Sequence, residues 1–237
     1  MDIFENILKD KASVMVINKL RRYFDMLAAR NRDVNLTAIT EPREVATLHF
    51  LDSLALLPLL AERLAAQEVS VIDVGTGAGF PGLPLAIAEP RLHVTLLDAT
   101  RKRVDFLGDV ARELALTNVS CVHARAEEYA HSLFSANLPL FDVAVSRAVA
   151  RLNVLAELCL PLVRVGGDFI AMKSADSDAE LAEAERAFEL LGGEVLRVVD
   201  YLVPETEVTH RAIIIRKVAP TPPEYPRRFK KIQTSPL

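Results

Sequence analysis

A chain of 237 residues, 51% hydrophobic and 25% charged, carries enough apolar material for one substantial core and does not read as disordered. Its two cysteines, Cys121 and Cys159, cannot build a disulfide framework or a four-ligand metal site unaided, so no metal is expected. The formal charge, 28 basic against 32 acidic residues, is −4, a total that ordinarily argues against a nucleic-acid partner.

The opening MDIFENILKD has acids where a signal peptide would be basic, and no apolar run of membrane-span length is expected. A cytoplasmic protein with no membrane partner follows as the expectation. Ile3, Ile7, Val16, Leu20, Phe24 and Leu27 recur at helical spacing before a polar break at Asn31 to Asn35. After Pro42, the stripe Leu48, Leu51, Leu54, Leu57 and Leu60 predicts a helix packed on something larger. From residue 69, short β-rich runs alternate with helix-length segments: VSVIDV, HVTLLD, NVSCV, FDVAVS, GDFIAM, EVLRVVDYLV and RAIIIRK. Such alternation predicts an α/β fold whose mostly parallel sheet is covered on both faces. The last two runs lie close together, so one of that pair is expected to be antiparallel. Five of the 13 prolines fall in residues 220 to 236, which predicts an extended basic tail and no helix there. The expected organisation is a helical cap over 1–66, the sheet domain over 67–218 and the tail over 219–237.

Four of nine glycines fall in DVGTGAGFPG at 73 to 82, after the first predicted strand and before a helix-like segment. Glycine lets a ligand approach the main chain, and this position is where open α/β sheets bind nucleotides. A GxGxxG frame exists at Gly77, Gly79 and Gly82, but it starts late and contains Pro81 where a pyrophosphate needs free amides. A dinucleotide is the weaker reading. The stronger one is S-adenosylmethionine, with Gly75, Gly77 and Gly79 around its amino-acid part and Asp73 near its ammonium group. Asp98 ends the second strand, where a carboxylate can accept two hydrogen bonds from ribose hydroxyls. The bland alternative for Asp98 is a cap before Thr100 and Arg101. Ala126 and Glu127, after the third strand, could flank an adenine edge.

The strings NLTAI at 35 to 39, HFLDSL at 49 to 54, DVGTGAGFPGLPLAI at 73 to 87, LLDATRKRVDFL at 96 to 107 and SRAVARL at 146 to 152 resemble the glucose-inhibited division protein B family, the bacterial ribosomal small-subunit methyltransferases G. The likeness runs from about Tyr23 to Lys217. It implies a Rossmann-like class I fold and S-adenosylmethionine-dependent methylation of N7 of a guanine in the decoding region of 16S ribosomal RNA. It further implies cofactor contacts at Gly75, Phe80, Ala126, Glu127 and Arg147. Basic residues for RNA or the transition state fall, by the same resemblance, on Lys102, Arg125, Arg147, Lys173 and Arg211. The chain departs from the family at His210, where many members have an acid, and in its tail YPRRFKKIQTSPL. The expected partner is 16S ribosomal RNA or the small subunit, met by a monomer.

Guanine N7 carries a lone pair and no proton, so its methylation requires no general base, and alignment alone can contribute about 7 to 11 kcal/mol. The chemistry of competing reactions is not visible: Cys159 lies in a helix-length segment as an apolar thiol, and PPEY lies in the tail. Arg147, ending the fourth strand, is the catalytic candidate through positioning and electrostatics, its planar fork suited to phosphate or the guanine O6 edge. Its bland alternative is a salt bridge to Glu127 or Asp98. His49 and Asp52 stand one helical turn apart and could orient the site together. Two other readings stay open on residues alone: a small-molecule methyltransferase, and a catalytically inert nucleotide-binding regulatory module.

The charge is unevenly spread. Residues 211–237 hold seven Lys and Arg against one acid, so Arg227, Arg228, Lys230 and Lys231 are candidate phosphate ligands despite the acidic total. Residues 176–194 hold seven acids against Arg186, remote in sequence from every cofactor motif.

Overall fold

The computed structural model describes residues 3–237. Helices α1 (Ile3–Leu8) and α2 (Val14–Val34) open the chain. Helix α2 begins where the Ser13 hydroxyl accepts from the Val16 amide, and ends at Asn35, whose left-handed backbone (φ +50°) stops it at the predicted polar break. The apolar stripe after Pro42 forms α3 (Pro42–Glu44), a π-helical turn over Val45–Leu51, α4 (Asp52–Leu54) and α5 (Leu57–Ala66). This corrects the expectation of no span-length apolar run: Pro42–Ala66 is long and apolar enough by composition to cross a membrane. Its apolar face is taken up inside the protein instead. Val45, Ala46, Phe50, Leu51, Leu56 and Leu60 are all buried in the core.

The seven strands are β1 (Val69–Val74), β2 (Leu92–Asp98), β3 (Val119–His123), β4 (Phe141–Arg147), β5 (Val163–Ser174), β6 (Gly193–Leu202) and β7 (Thr209–Lys217), each on a predicted run. They form one sheet in the order β3-β2-β1-β4-β5-β7-β6. Strands β1 to β5 pair in parallel, and β7 runs antiparallel between β5 and β6. The crossovers are α6 (Gly82–Ala88), α7 (Arg101–Glu113), α8 (Ala126–Ser135), α9 (Leu152–Cys159) and α10 (Asp178–Leu190).

Side chains alternate across the sheet. Val69 and Val71 of β1 join a core with Leu20, Tyr23 and Leu27 of the N-terminal helices, Leu83 of α6 and Leu107 of α7. Ile72 and Val74 join the opposite core with Leu155 of α9 and Phe188 of α10. The cap therefore shares a continuous core with one face of the sheet. Burying side chains of this kind contributes about 1.5 to 3 kcal/mol each.

The chain end differs from the predicted extended tail. Phe229–Thr234 forms a short helix, α11, whose Ile232 is fully buried in the second core. Arg227 anchors it to Glu157, a fully buried carboxylate of α9. Prolines broke the local helical pattern, but one apolar residue and one buried ion pair dock the segment.

Candidate active site

Strand order reverses between β1 and β4, and the loops leaving their carboxyl ends part to open a crevice. A cleft of about 440 Å³ lies there, a size suited to a small-molecule ligand. The glycine loop lines one wall through Gly75, Thr76, Gly77, Ala78 and Phe80. Gly79 has φ +114°, and a Cβ placed on it would meet Tyr23 Oη at 2.6 Å and Leu83 at 2.7 Å, so the loop can follow this path only with glycine there. The Tyr23 hydroxyl, from the cap, donates to the Ala78 carbonyl, and its ring packs 5.5 Å from those of both Phe50 and Phe80. The cap thus props the glycine loop.

Asp98, only 4% exposed, lines the cleft with both oxygens engaged. Oδ2 accepts from the Gly77 amide at 3.0 Å and Oδ1 from the Thr100 amide at 2.7 Å. One carboxylate therefore steadies the glycine loop and the turn into α7, and the expected contact with Thr100 forms through its amide. Ala126 and Glu127 line the far end, where Arg125 Nε donates to Glu127 Oε1 at 2.7 Å.

Asp73 stands differently from the sequence expectation. It is fully buried behind the loop and is not among the residues lining the cleft. Its Oδ2 accepts from the Thr76 hydroxyl at 2.6 Å and the Gly82 amide at 2.8 Å, while Oδ1 has no partner among the described residues. Burial pushes its carboxyl up to about 6 against the lowering pull of those two donors. Strand alternation explains the placement, because residue 73 shares the face of Val69 and Val71. It supports the loop from beneath.

Arg147 ends β4 and lines the near end of the cleft. Its bland alternative, an ion pair with Glu127 or Asp98, is not what forms. Nη1 instead donates to Oδ2 of Asp52 at 2.8 Å and to the Leu48 carbonyl at 2.9 Å, and Nη2 lies 3.1 Å from Nδ1 of His49. Arginine is a donor only, so His49 Nδ1 accepts and Nε2 carries the proton, donating to Thr37 Oγ1 at 2.9 Å. Burial, and then the Arg147 charge, lower the His49 pKa to about 4, which keeps the ring neutral. The ring stacks on Phe80 at 4.3 Å. Oδ1 of Asp52 accepts from Tyr201 Oη and His210 Nδ1, both at 2.8 Å. Burial alone would raise the Asp52 pKa, but the hydrogen bonds from His210 and Arg147 outweigh it and hold the carboxyl below its ordinary value.

A second cavity, about 470 Å³, opens on the other side of this cluster. Its lining includes Ile39, Asp52, Met172, Ser174 and His210, and it shares His49, Arg147 and Ala148 with the first. Ala148 adopts φ +56°, uncommon for a residue with a side chain.

The other predicted cations divide into two groups. Lys102, Arg228, Lys230 and Lys231 are exposed. Lys173 pairs with Glu180 at 2.6 Å, Arg211 with Asp178 and Asp200 at 2.6 Å each, and Arg227 with Glu157 at 2.6 Å. The acidic run on α10, remote in sequence, thus meets the site's edge in space, adding an Arg151–Glu183 ion pair. No local pattern in the sequence marks Tyr23, Tyr201 or Phe229 as site residues. Tyr201 sits on β6, brought beside Asp52 only by sheet pairing, and Phe229 stood in the segment read as extended. No group of three or more His, Cys, Asp or Glu able to hold a metal occurs among the described residues.

A family model described as rRNA small subunit methyltransferase G matches residues 16–209. The chain belongs to that family. The methyltransferase G of Alkaliphilus oremlandii is 46% identical over 221 residues, 93% of this chain and 90% of the relative. That of Lachnoclostridium phytofermentans is 47% identical over 215 residues, 91% and 87% of the two chains. Among solved structures, a putative O-methyltransferase from Klebsiella pneumoniae matches with TM-score 0.59 at 15% identity, covering 92% of this chain and 96% of that one. A mutant MtNAS in complex with S-adenosylmethionine matches with TM-score 0.57 at 14% identity, covering 91% and 83%. These two likenesses show the fold, that of the class I methyltransferases. Membership of the methyltransferase G family makes the chain an S-adenosylmethionine-dependent rRNA methyltransferase. The cleft fits that cofactor: a glycine wall admits close approach, and Asp98 and Glu127 bring carboxylates to its lining.

Proposed function

We propose that the chain methylates N7 of a guanine in the decoding region of 16S ribosomal RNA, on the small subunit or its RNA, with Arg147 at the point of transfer. The observation that carries this reading is the meeting of two cavities at Arg147, His49 and Ala148. The first takes the cofactor against Gly75, Gly77, Phe80, Asp98, Ala126 and Glu127; Gly79, expected beside them, is not among the residues lining that cleft and faces Tyr23, Leu83 and Leu107 instead. The second takes the base.

The bound cofactor supplies a methyl group on a sulfonium, so that the N7 lone pair forms the new C–N bond as the C–S bond breaks and S-adenosylhomocysteine leaves. No proton moves in that step, and the chain's task is alignment and electrostatics. Of the five N–H donors of Arg147, three are used on Leu48, Asp52 and His49. Two remain to grip guanine O6, the neighbour of N7. The base gains positive charge as it is methylated, which a bare guanidinium would oppose. Asp52 answers this by neutralising Arg147, so the pair presents hydrogen bonds without net charge. His49 stays neutral for the same benefit.

Exposed Lys102, Arg228, Lys230 and Lys231 are the groups free to take phosphates. Lys173, Arg211 and Arg227 hold the architecture through their ion pairs. We place the protein in the cytoplasm as a monomer, where its substrate is made. Incubation with labelled S-adenosylmethionine and undermethylated small subunits tests the proposal: N7-methylguanosine in 16S RNA is expected, and no transfer to any ribosomal substrate would overturn it.

A further inference from the structure

Phe229 belongs to the C-terminal segment, yet it lines the same cleft as the glycine loop and Arg147. The cleft has a direction. Arg147 and the second cavity mark the end where the methyl must emerge, so the adenine must lie toward the opposite end, bounded by Ala124, Ala126, Glu127 and Phe229. Apolar and aromatic surface is what a purine face requires, with a few polar groups to fix its edge.

Arg125 touches the ring, and the segment that carries it is anchored at several other points. The Arg125 guanidinium lies 4.0 Å from its centroid and binds Glu127 in turn. Glu157, fully buried, accepts from the Arg227 amide and Nε at 2.8 Å each and from Nη2 at 2.6 Å. His131 Nε2 donates to the Pro226 carbonyl at 2.8 Å, and Ile232 is fully buried.

We propose that the C-terminal segment completes the cofactor site, with Phe229 as the wall against the adenine of S-adenosylmethionine. The inference rests on the cofactor reading above and adds a binding residue outside the methyltransferase sheet. Because Arg228 and Lys230 flank Phe229, the element offered to RNA phosphates is also the one that closes on the cofactor.

Calorimetry on the full chain without RNA tests this, using S-adenosylhomocysteine and adenosine as ligands. Phe229→Ala is expected to weaken both by about tenfold, the scale of one base–aromatic stack. Phe229→Tyr should restore most of the affinity, and Phe229→Leu, which keeps apolar bulk for tail packing, should still lose several-fold. Melting curves establish that each variant is folded; if the alanine variant is not, the leucine and tyrosine pair carries the comparison. Wild-type affinity in a folded alanine or leucine variant would overturn the proposal, as would a loss confined to S-adenosylhomocysteine and absent for adenosine. Wild-type protein that binds no S-adenosylhomocysteine would instead overturn the cofactor reading beneath it.

Discussion

Arg147 Nη1 lies 2.8 Å from Oδ2 of Asp52, a carboxylate with no solvent exposure that also accepts from Tyr201 and His210. One buried acid therefore gathers donors from β4, β6 and β7. Asp52→Ala leaves three donors without their shared acceptor. Breaking such a pair costs about 3 to 5 kcal/mol, and the loss of posture in Arg147 should lower kcat by about 10²-fold. Asp52 lies outside the cofactor cleft, so affinity for S-adenosylhomocysteine should stay near that of the wild type. Urea melts, single-turnover transfer and calorimetry separate the three effects.

His49 and Asp73 pull stability in opposite directions with pH. The folded pKa of His49 is depressed from 6.5 to about 4, so below pH 6.5 the unfolded chain binds more protons and stability is lost as pH falls toward 4. The folded pKa of Asp73 is raised from 3.8 to about 6, so its contribution is complete below 3.8 and is lost as pH rises through 6. At 1.36 kcal/mol per unit, each amounts to about 3 kcal/mol, and in the wild type they largely cancel. Relative to wild type, His49→Gln should gain stability as pH falls from 6.5 to 4, and Asp73→Asn should gain it as pH rises from 4 to 6. Denaturant titrations across that range give the two slopes, and slopes of the same sign would refute the assignment.

Glu157→Ala removes the acceptor that anchors Arg227. The variant should lose about 3 kcal/mol and release α11, because the carboxylate is buried and its partner is half-buried. Limited trypsin digestion should then cut at Arg227, Arg228, Lys230 or Lys231 well before the sheet domain, whereas the wild-type tail should resist.

Salt dependence distinguishes the two groups of cations. Combined Arg228→Ala, Lys230→Ala and Lys231→Ala should flatten the slope of log affinity against log salt by about 0.7 for each phosphate no longer neutralised. Lys173→Ala and Arg211→Ala should lower the melting temperature by unpairing acids on α10 and Asp200, while leaving that slope nearly unchanged. Filter binding of a 16S fragment between about 50 and 200 mM salt makes the comparison.

The strands were legible because each β-rich run is local, and the glycine loop because four glycines in ten residues leave few other uses. Arg147 was legible by its place at a strand end, but its partner was not. Asp52 reaches it from the end of a π-helical turn whose presence no periodicity announces, and Tyr201 and His210 arrive through antiparallel pairing at the far side of the sheet. Asp73 had the right spacing for a ligand contact, yet strand alternation turned it under the loop. Composition of the tail marked it as extended, since nothing local to it reveals the buried Glu157 on α9. What a sequence conceals here is which carboxylate each cation meets.

The proposed transfer of one methyl group to guanine N7 of 16S RNA runs through the Arg147 junction. The most direct measurement is nucleoside mass spectrometry of 16S RNA from cells lacking the gene, complemented with wild type or with Arg147→Ala. One N7-methylguanosine should disappear with the gene, return with the wild type and stay absent or strongly reduced with the variant. An unchanged N7-methylguanosine content without the gene, or full restoration by Arg147→Ala, would contradict it.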